Sequence, residues 1–262
     1  MAKKTKANSK TVTKPTKTST HKSILAPSIA KKDITLSVFL SIFAFLLLLV
    51  QINWLCGNIV NTATGPAWFN YIYTFTCQSN WMVLIYLVAL ITTMFFDVNK
   101  KFYNFVRSRT LLTSVTVYIS ITFLVVVVLL DKIYNGTWSF VSGGATFYHG
   151  LSTIAMWLVF FFVPAADSKY TAWSLSVWKR VGITVIYPLA YVALTAVVGG
   201  FVKITNKGVQ QWAFPYDFLN YKDGGIGVYI AYVLGLLVVF SFFSWGLYLF
   251  KQKIDKSYHG VK

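Results

Sequence analysis

Tyr73-Thr74-Phe75-Thr76-Cys77-Gln78-Ser79-Asn80 heads an apolar run that continues to Phe96, so polar side chains are packed where an oily segment enters a bilayer. Read as a helix, the stretch puts Thr76, Ser79 and Asn80 three and four residues apart. They then share one face and turn three hydrogen-bonding groups toward one neighbour. Such groups in a membrane helix serve either as glue between helices or as a ligand site.

Working outward, the composition supports the membrane setting. Of 262 residues, 56 % are hydrophobic and 12 % charged, which suits a membrane bundle better than a soluble domain. At about 20 apolar residues per crossing, six runs emerge: Thr35 to Trp54, Ile72 to Phe96, Thr110 to Leu130, Phe147 to Pro164, Val181 to Val202 and Ile226 to Phe250. Pro188 interrupts the fifth; it removes a backbone donor and leaves the Thr184 carbonyl to find another partner. The fold class expected is all-α, a six-span membrane protein.

The net charge of +17 would ordinarily suggest nucleic acid. Position argues otherwise, and no specific nucleic-acid partner is expected. Nine lysines precede Asp33, and most other basic residues flank apolar runs. In a six-span arrangement, 20 of the 24 basic residues fall on one side and only Lys132, Lys203, Lys207 and Lys222 on the other. The positive-inside rule then assigns both termini to the cytoplasm of a multi-pass cell-membrane protein. Residues 1–33 read as a disordered basic tail drawn to anionic lipid headgroups, 34–251 as the transmembrane domain and 252–262 as a short basic tail.

In this topology the candidate chemistry gathers near the outer boundary. Thr76 lies about 6 Å below it at 1.5 Å per residue. His149 begins the fourth run, Asp131 ends the third, and Phe214-Pro215-Tyr216-Asp217-Phe218 forms an outer loop. A Thr hydroxyl needs a base to act as a nucleophile, and an imidazole near its ordinary pKa can supply one. Thr76 with His149 would be that couple, with Asp131 orienting the ring. Gln78, Ser79, Asn80 and Thr153 would donate to a carbonyl or developing oxyanion, and Tyr216 and Asp217 would close the mouth. The chain contains no Glu, and His149 is the single histidine of the bundle, so no His-Glu-x-x-His zinc site can be built. No Walker-type loop is present. Neither a metal nor a cofactor is expected.

Phe75-Thr76-Cys77-Gln78-Ser79-Asn80, His149 and Phe214-Pro215-Tyr216-Asp217-Phe218, in that order, resemble the androgen-induced-gene family of membrane proteins and its six-span bacterial relatives. The resemblance covers Thr35 to Phe250. It implies an intramembrane threonine hydrolase of fatty-acid esters, with Thr76 as nucleophile and His149 as base. The chain departs from that pattern after the histidine, where Ser152, Thr153 and an apolar run follow Gly150. The expected function is therefore hydrolysis of lipid acyl esters at an outer-leaflet site, with membrane lipids as partners. The rival readings are a non-catalytic lipid- or small-molecule-binding protein, a transporter, and an assembly protein acting through its tail.

Overall fold

The computed structural model describes residues 31–60, 73–96, 98–126, 144–165, 176–206 and 209–259. The expected basic tail up to residue 30, and Asp131, lie outside them. Eight helices are described: α1 Lys31–Val60, α2 Phe75–Phe95, α3 Lys100–Val106, α4 Arg109–Leu124, α5 Gly144–Phe162, α6 Val177–Phe201, α7 Tyr221–Gly224 and α8 Ile226–His259. Four stretches of these are long and apolar enough to cross a membrane: Thr35–Asn53, Phe75–Phe95, Val177–Phe201 and Ile226–Ser257. A shorter apolar helical stretch covers His149–Phe162. The third expected crossing is helical through Leu124, and its residues beyond 126 lie outside the described set. Among the described residues, the departure from an all-helical fold is a hairpin of β1 Lys203–Asn206 and β2 Val209–Trp212, pairing Lys203 with Trp212 and Asn206 with Val209.

Local sequence explains where the elements begin. Ser108 starts α4 by accepting the Leu111 N–H at 3.2 Å, and Asn99 starts α3 by accepting that of Phe102 at 2.9 Å. Gly225, at φ 82°, turns the chain from α7 into α8.

The helix α4 is the hub, packing on α2, α5, α6 and α8. Every residue from Leu112 to Thr122 is buried, five of them Ser or Thr. Small hydroxylated residues let neighbouring helices approach closely and bond across the seam. The opposite pattern marks α1, whose buried residues Ser37, Leu40, Ala44, Leu47 and Gln51 alternate steps of three and four. That stripe packs on α2, while Phe39, Ile42, Phe45, Leu46 and Leu49 face outward. Ser37 donates to Met94 Sδ at 3.0 Å, which sets α1 and α2 antiparallel.

Pro188 acts as its chemistry requires. The Thr184 carbonyl accepts the Tyr118 hydroxyl proton at 2.7 Å, in place of the amide proton that proline lacks. The loop after α6 lies against that helix without space to spare. A Cβ on Gly199 would sit 2.4 Å from the Phe214 ring, and one on Gly200 2.1 Å from the Tyr221 hydroxyl.

The other end of the bundle is held by charge. Lys251 Nζ donates to the Phe160 and Val163 carbonyls at 2.8 and 2.7 Å, satisfying the C-terminal end of α5. Asp255 pairs with Lys251 at 3.0 Å and with Arg109 at 3.3 Å. Neither Lys251 nor Asp255 is exposed. At 1.5 Å per residue α8 is about 51 Å long, well beyond a hydrocarbon core of about 30 Å. It continues as helix through residues 252–259, where a short tail was expected.

Candidate functional site

The N-terminus of α2 enters the bundle without a capping side chain from Thr74. Its orphan donors go to tyrosines instead. The Phe75 N–H donates to Tyr191 Oη at 3.0 Å and the Thr76 N–H to Tyr216 Oη at 3.2 Å. Tyr216 returns its own proton toward Thr76 Oγ1 at 3.4 Å. Burial pushes the Tyr216 hydroxyl up to about 12, so it remains a donor at any physiological pH. One turn on, Gln78 Oε1 accepts the Tyr187 hydroxyl proton.

Asn80 is the junction of the polar cluster. Its Nδ2 donates to the Thr76 carbonyl at 2.7 Å and meets His149 Nδ1 at 2.7 Å, while its Oδ1 accepts from Ser152 Oγ at 2.5 Å. A carbonyl oxygen can only accept, so the Thr76 contact fixes which atom of the amide is nitrogen. The second Nδ2 proton then faces His149 Nδ1, which must offer a lone pair. The imidazole is therefore neutral, with its proton on Nε2. Thr76, Ser79, Asn80, His149 and Ser152 are all buried.

The expected shared face of Thr76, Ser79 and Asn80 thus exists, and most of its hydrogen-bonding capacity is spent within the protein. Ser79 Oγ reaches the Thr76 carbonyl at 2.9 Å and Thr122 Oγ1 at 2.8 Å. Thr153 bonds back to the His149 carbonyl at 2.7 Å, one turn earlier on α5. Among the described residues no hydrogen bond joins Thr76 to His149; the two are linked only through Asn80. Tyr216 lies on Thr76, whereas Asp217 is exposed and opens a 3-10 turn, Asp217–Leu219.

On the other side of Thr76 lies a cavity of about 50 Å³, room for a few water-sized groups. Its wall is overwhelmingly apolar: Phe75 and Thr76 of α2, Pro188 and Tyr191 of α6, and Leu237 and Phe240 of α8. Tyr216 and Leu219 of the loop also line it, and His149 does not. Around Phe75, the rings of Tyr118, Tyr187, Tyr191 and Phe240 have centroids 5.2 to 6.3 Å away.

Sequence reasoning overlooked Ser152, Thr122, Tyr187, Tyr191 and Gln51. Signals existed for some. Ser152 stands one turn after His149, and Tyr187 and Tyr191 are one turn apart beside Pro188. Gln51 is buried on α1 as far from Ser37 as Asn80 is from Met94, so it lies at the depth of Asn80.

Buried polar junctions of this kind, enclosed by long apolar helices whose outer faces are aliphatic and aromatic, define a polytopic helical membrane protein. No protein-family model matches the chain, and neither a curated protein nor a solved structure is similar to it.

Proposed function

We propose that this chain is a six-span cell-membrane protein with both termini in the cytoplasm, and that its cavity beside Thr76 takes a few carbons of a lipid chain near the outer surface. The arrangement of basic residues supports the topology, since 20 of 24 fall on one side of six crossings. The third and fourth crossings are the segments around α4 and α5. The basic tail adds attraction to anionic lipid at the inner surface.

The observation that carries binding over catalysis is the imidazole. Its Nδ1 is occupied by Asn80 and its Nε2 carries the proton, so no lone pair is free to take a proton from Thr76. The wall is apolar, as an acyl chain requires, and a single hydroxyl at Thr76 beside the Tyr216 hydroxyl suits one ester or headgroup oxygen. Leu237→Trp, which fills the cavity, should strip co-purifying lipid from the protein as seen by native mass spectrometry. Unchanged lipid retention would overturn the reading.

Hydrolysis, which the androgen-induced-gene resemblance implies, is the second reading. What favours it is that Asn80 joins the Thr76 backbone carbonyl to the His149 ring, so both residues belong to one polar junction, and a proton shift to Nδ1 would free Nε2 to act as a base. Purified wild type, Thr76→Ala and His149→Ala are compared on lipid esters. Binding alone predicts equal background turnover in all three; product formed by the wild type and lost in both variants would establish the enzyme.

A further inference from the structure

The outer loop carries a second feature that the cavity does not explain. Both Lys203 Nζ and Lys222 Nζ lie over the Trp212 indole, 4.7 and 4.8 Å from its centre, and Lys222 also lies 5.5 Å from the Tyr221 ring. The two ammonium groups are therefore at most about 9.5 Å apart. Both lysines are exposed, and among the described residues neither forms an ion pair. The nearest acid in sequence, Asp223, accepts instead from Asn220 Nδ2 at 2.6 Å. Two like charges converge on one half-buried ring, and no carboxylate of the described residues pairs with either, although cation–π attraction is worth only about 1–2 kcal/mol.

The surroundings say what would complete the arrangement. Strand pairing places Lys203 opposite Trp212 in the hairpin, and Lys222 comes from α7. Trp212 is four residues before Tyr216, and Lys222 three after Leu219, and both Tyr216 and Leu219 line the cavity. Such lengths of chain span at most about 14 Å. Three of the four lysines assigned to the outer side, Lys203, Lys207 and Lys222, fall in this one segment.

We propose that Lys203 and Lys222, seated on Trp212, bind the phosphate of a single-chain or double-chain anionic lipid whose acyl chain enters the Thr76 cavity with a few of its carbons. The inference rests on the cavity reading above and names the class of ligand: an anionic amphiphile, in preference to a neutral or zwitterionic one. The paired ammonium groups supply charge-assisted hydrogen bonds to the phosphate oxygens, the indole edge packs on the first carbons, and the apolar wall takes the chain.

The test titrates full-length protein in a neutral maltoside detergent with dodecyl phosphate, dodecyl phosphocholine and inorganic phosphate, followed by calorimetry. Dodecyl phosphate should bind at least tenfold more tightly than dodecyl phosphocholine. Lys203→Gln with Lys222→Gln should lower its affinity about tenfold or more, and Lys203→Arg with Lys222→Arg should retain it. Equal affinity of the Gln pair and wild type overturns the proposal, as does inorganic phosphate binding as tightly as dodecyl phosphate, which would make this a free-anion site. Leu237→Trp separates the two readings. If it abolishes binding while the Gln pair does not, the cavity stands and the headgroup site falls. If the Gln pair abolishes binding while Leu237→Trp does not, the anion site stands without the cavity. Matching thermal unfolding of all variants ensures that the affinities refer to folded protein.

Discussion

The two ends of the bundle solve the burial of polar groups differently. At one end Lys251, Asp255 and Arg109 form a charged staple in which the carboxylate faces both cations and the lysine also closes the end of α5. At the other end the groups are neutral: hydroxyls, the Asn80 and Gln78 amides and one imidazole, with an apolar cavity beside them. The difference teaches where a ligand could be accommodated. A buried ion pair tolerates no vacancy, because removing either partner leaves a bare charge. A neutral cluster can exchange one weak internal bond, such as the 3.4 Å contact of Tyr216 with Thr76, for a bond to a guest.

The sharpest way to break the comparison is at the charged end. Asp255→Ala leaves the fully buried Lys251 without its carboxylate partner and should cost about 3–5 kcal/mol. Lys251→Met should cost less, since Arg109 still faces Asp255. Unfolding by SDS in mixed micelles, followed by far-UV circular dichroism, measures both. If Asp255→Ala lost under 1 kcal/mol, the staple would not be what holds α4, α5 and α8 together.

At the neutral end the corresponding change is Asn80→Leu, which strands Ser152 and the imidazole lone pair and should cost about 1–3 kcal/mol. Nitrogen-15 NMR of labelled histidine gives a readout that stability alone does not. His149 in the wild type should show the tautomer protonated on Nε2, and the variant a mixture. A wild type protonated on Nδ1 would contradict the assigned Asn80 contact.

How much of this was legible in the sequence depends on range. The polar head of α2 and the release of the Thr184 carbonyl by Pro188 follow from spacing and covalent chemistry within a few residues. The partner of His149 did not, because Asn80 lies 69 positions away and the helix pairing decides it. Nor did the staple: Lys251 looks like one more inner-side lysine until α8 is seen to continue as helix and bury it. The hairpin was missed because its strands are only four residues each, too short for an alternating pattern to stand out against the neighbouring helix.

Docking of the loop that follows α6 on that helix is tested by a pair of glycines. Gly199→Ala forces its Cβ into the Phe214 ring, which must swing away, and should cost about 1–3 kcal/mol. Gly182→Ala meets nothing within 4 Å in the same helix and should stabilise by roughly 0.5–1 kcal/mol. Thermal unfolding that moved both variants the same way would mean that the loop does not bear on α6.

The smallest loss expected is the most informative about the site. Tyr216→Phe keeps the ring stacked on Phe218, with centroids 5.2 Å apart, and removes only the oxygen that accepts the Thr76 N–H and donates to its hydroxyl. The loss should be about 0.5–1.5 kcal/mol, the net worth of one such bond. Removing that oxygen also frees the Thr76 hydroxyl toward the cavity. If the cavity binds lipid through that hydroxyl, Tyr216→Phe should destabilise the empty protein while holding lipid at least as well as the wild type. Loss of stability and of lipid together would instead make Tyr216 itself the contact, and the neutral end would then be a closed cap in the same sense as the charged one.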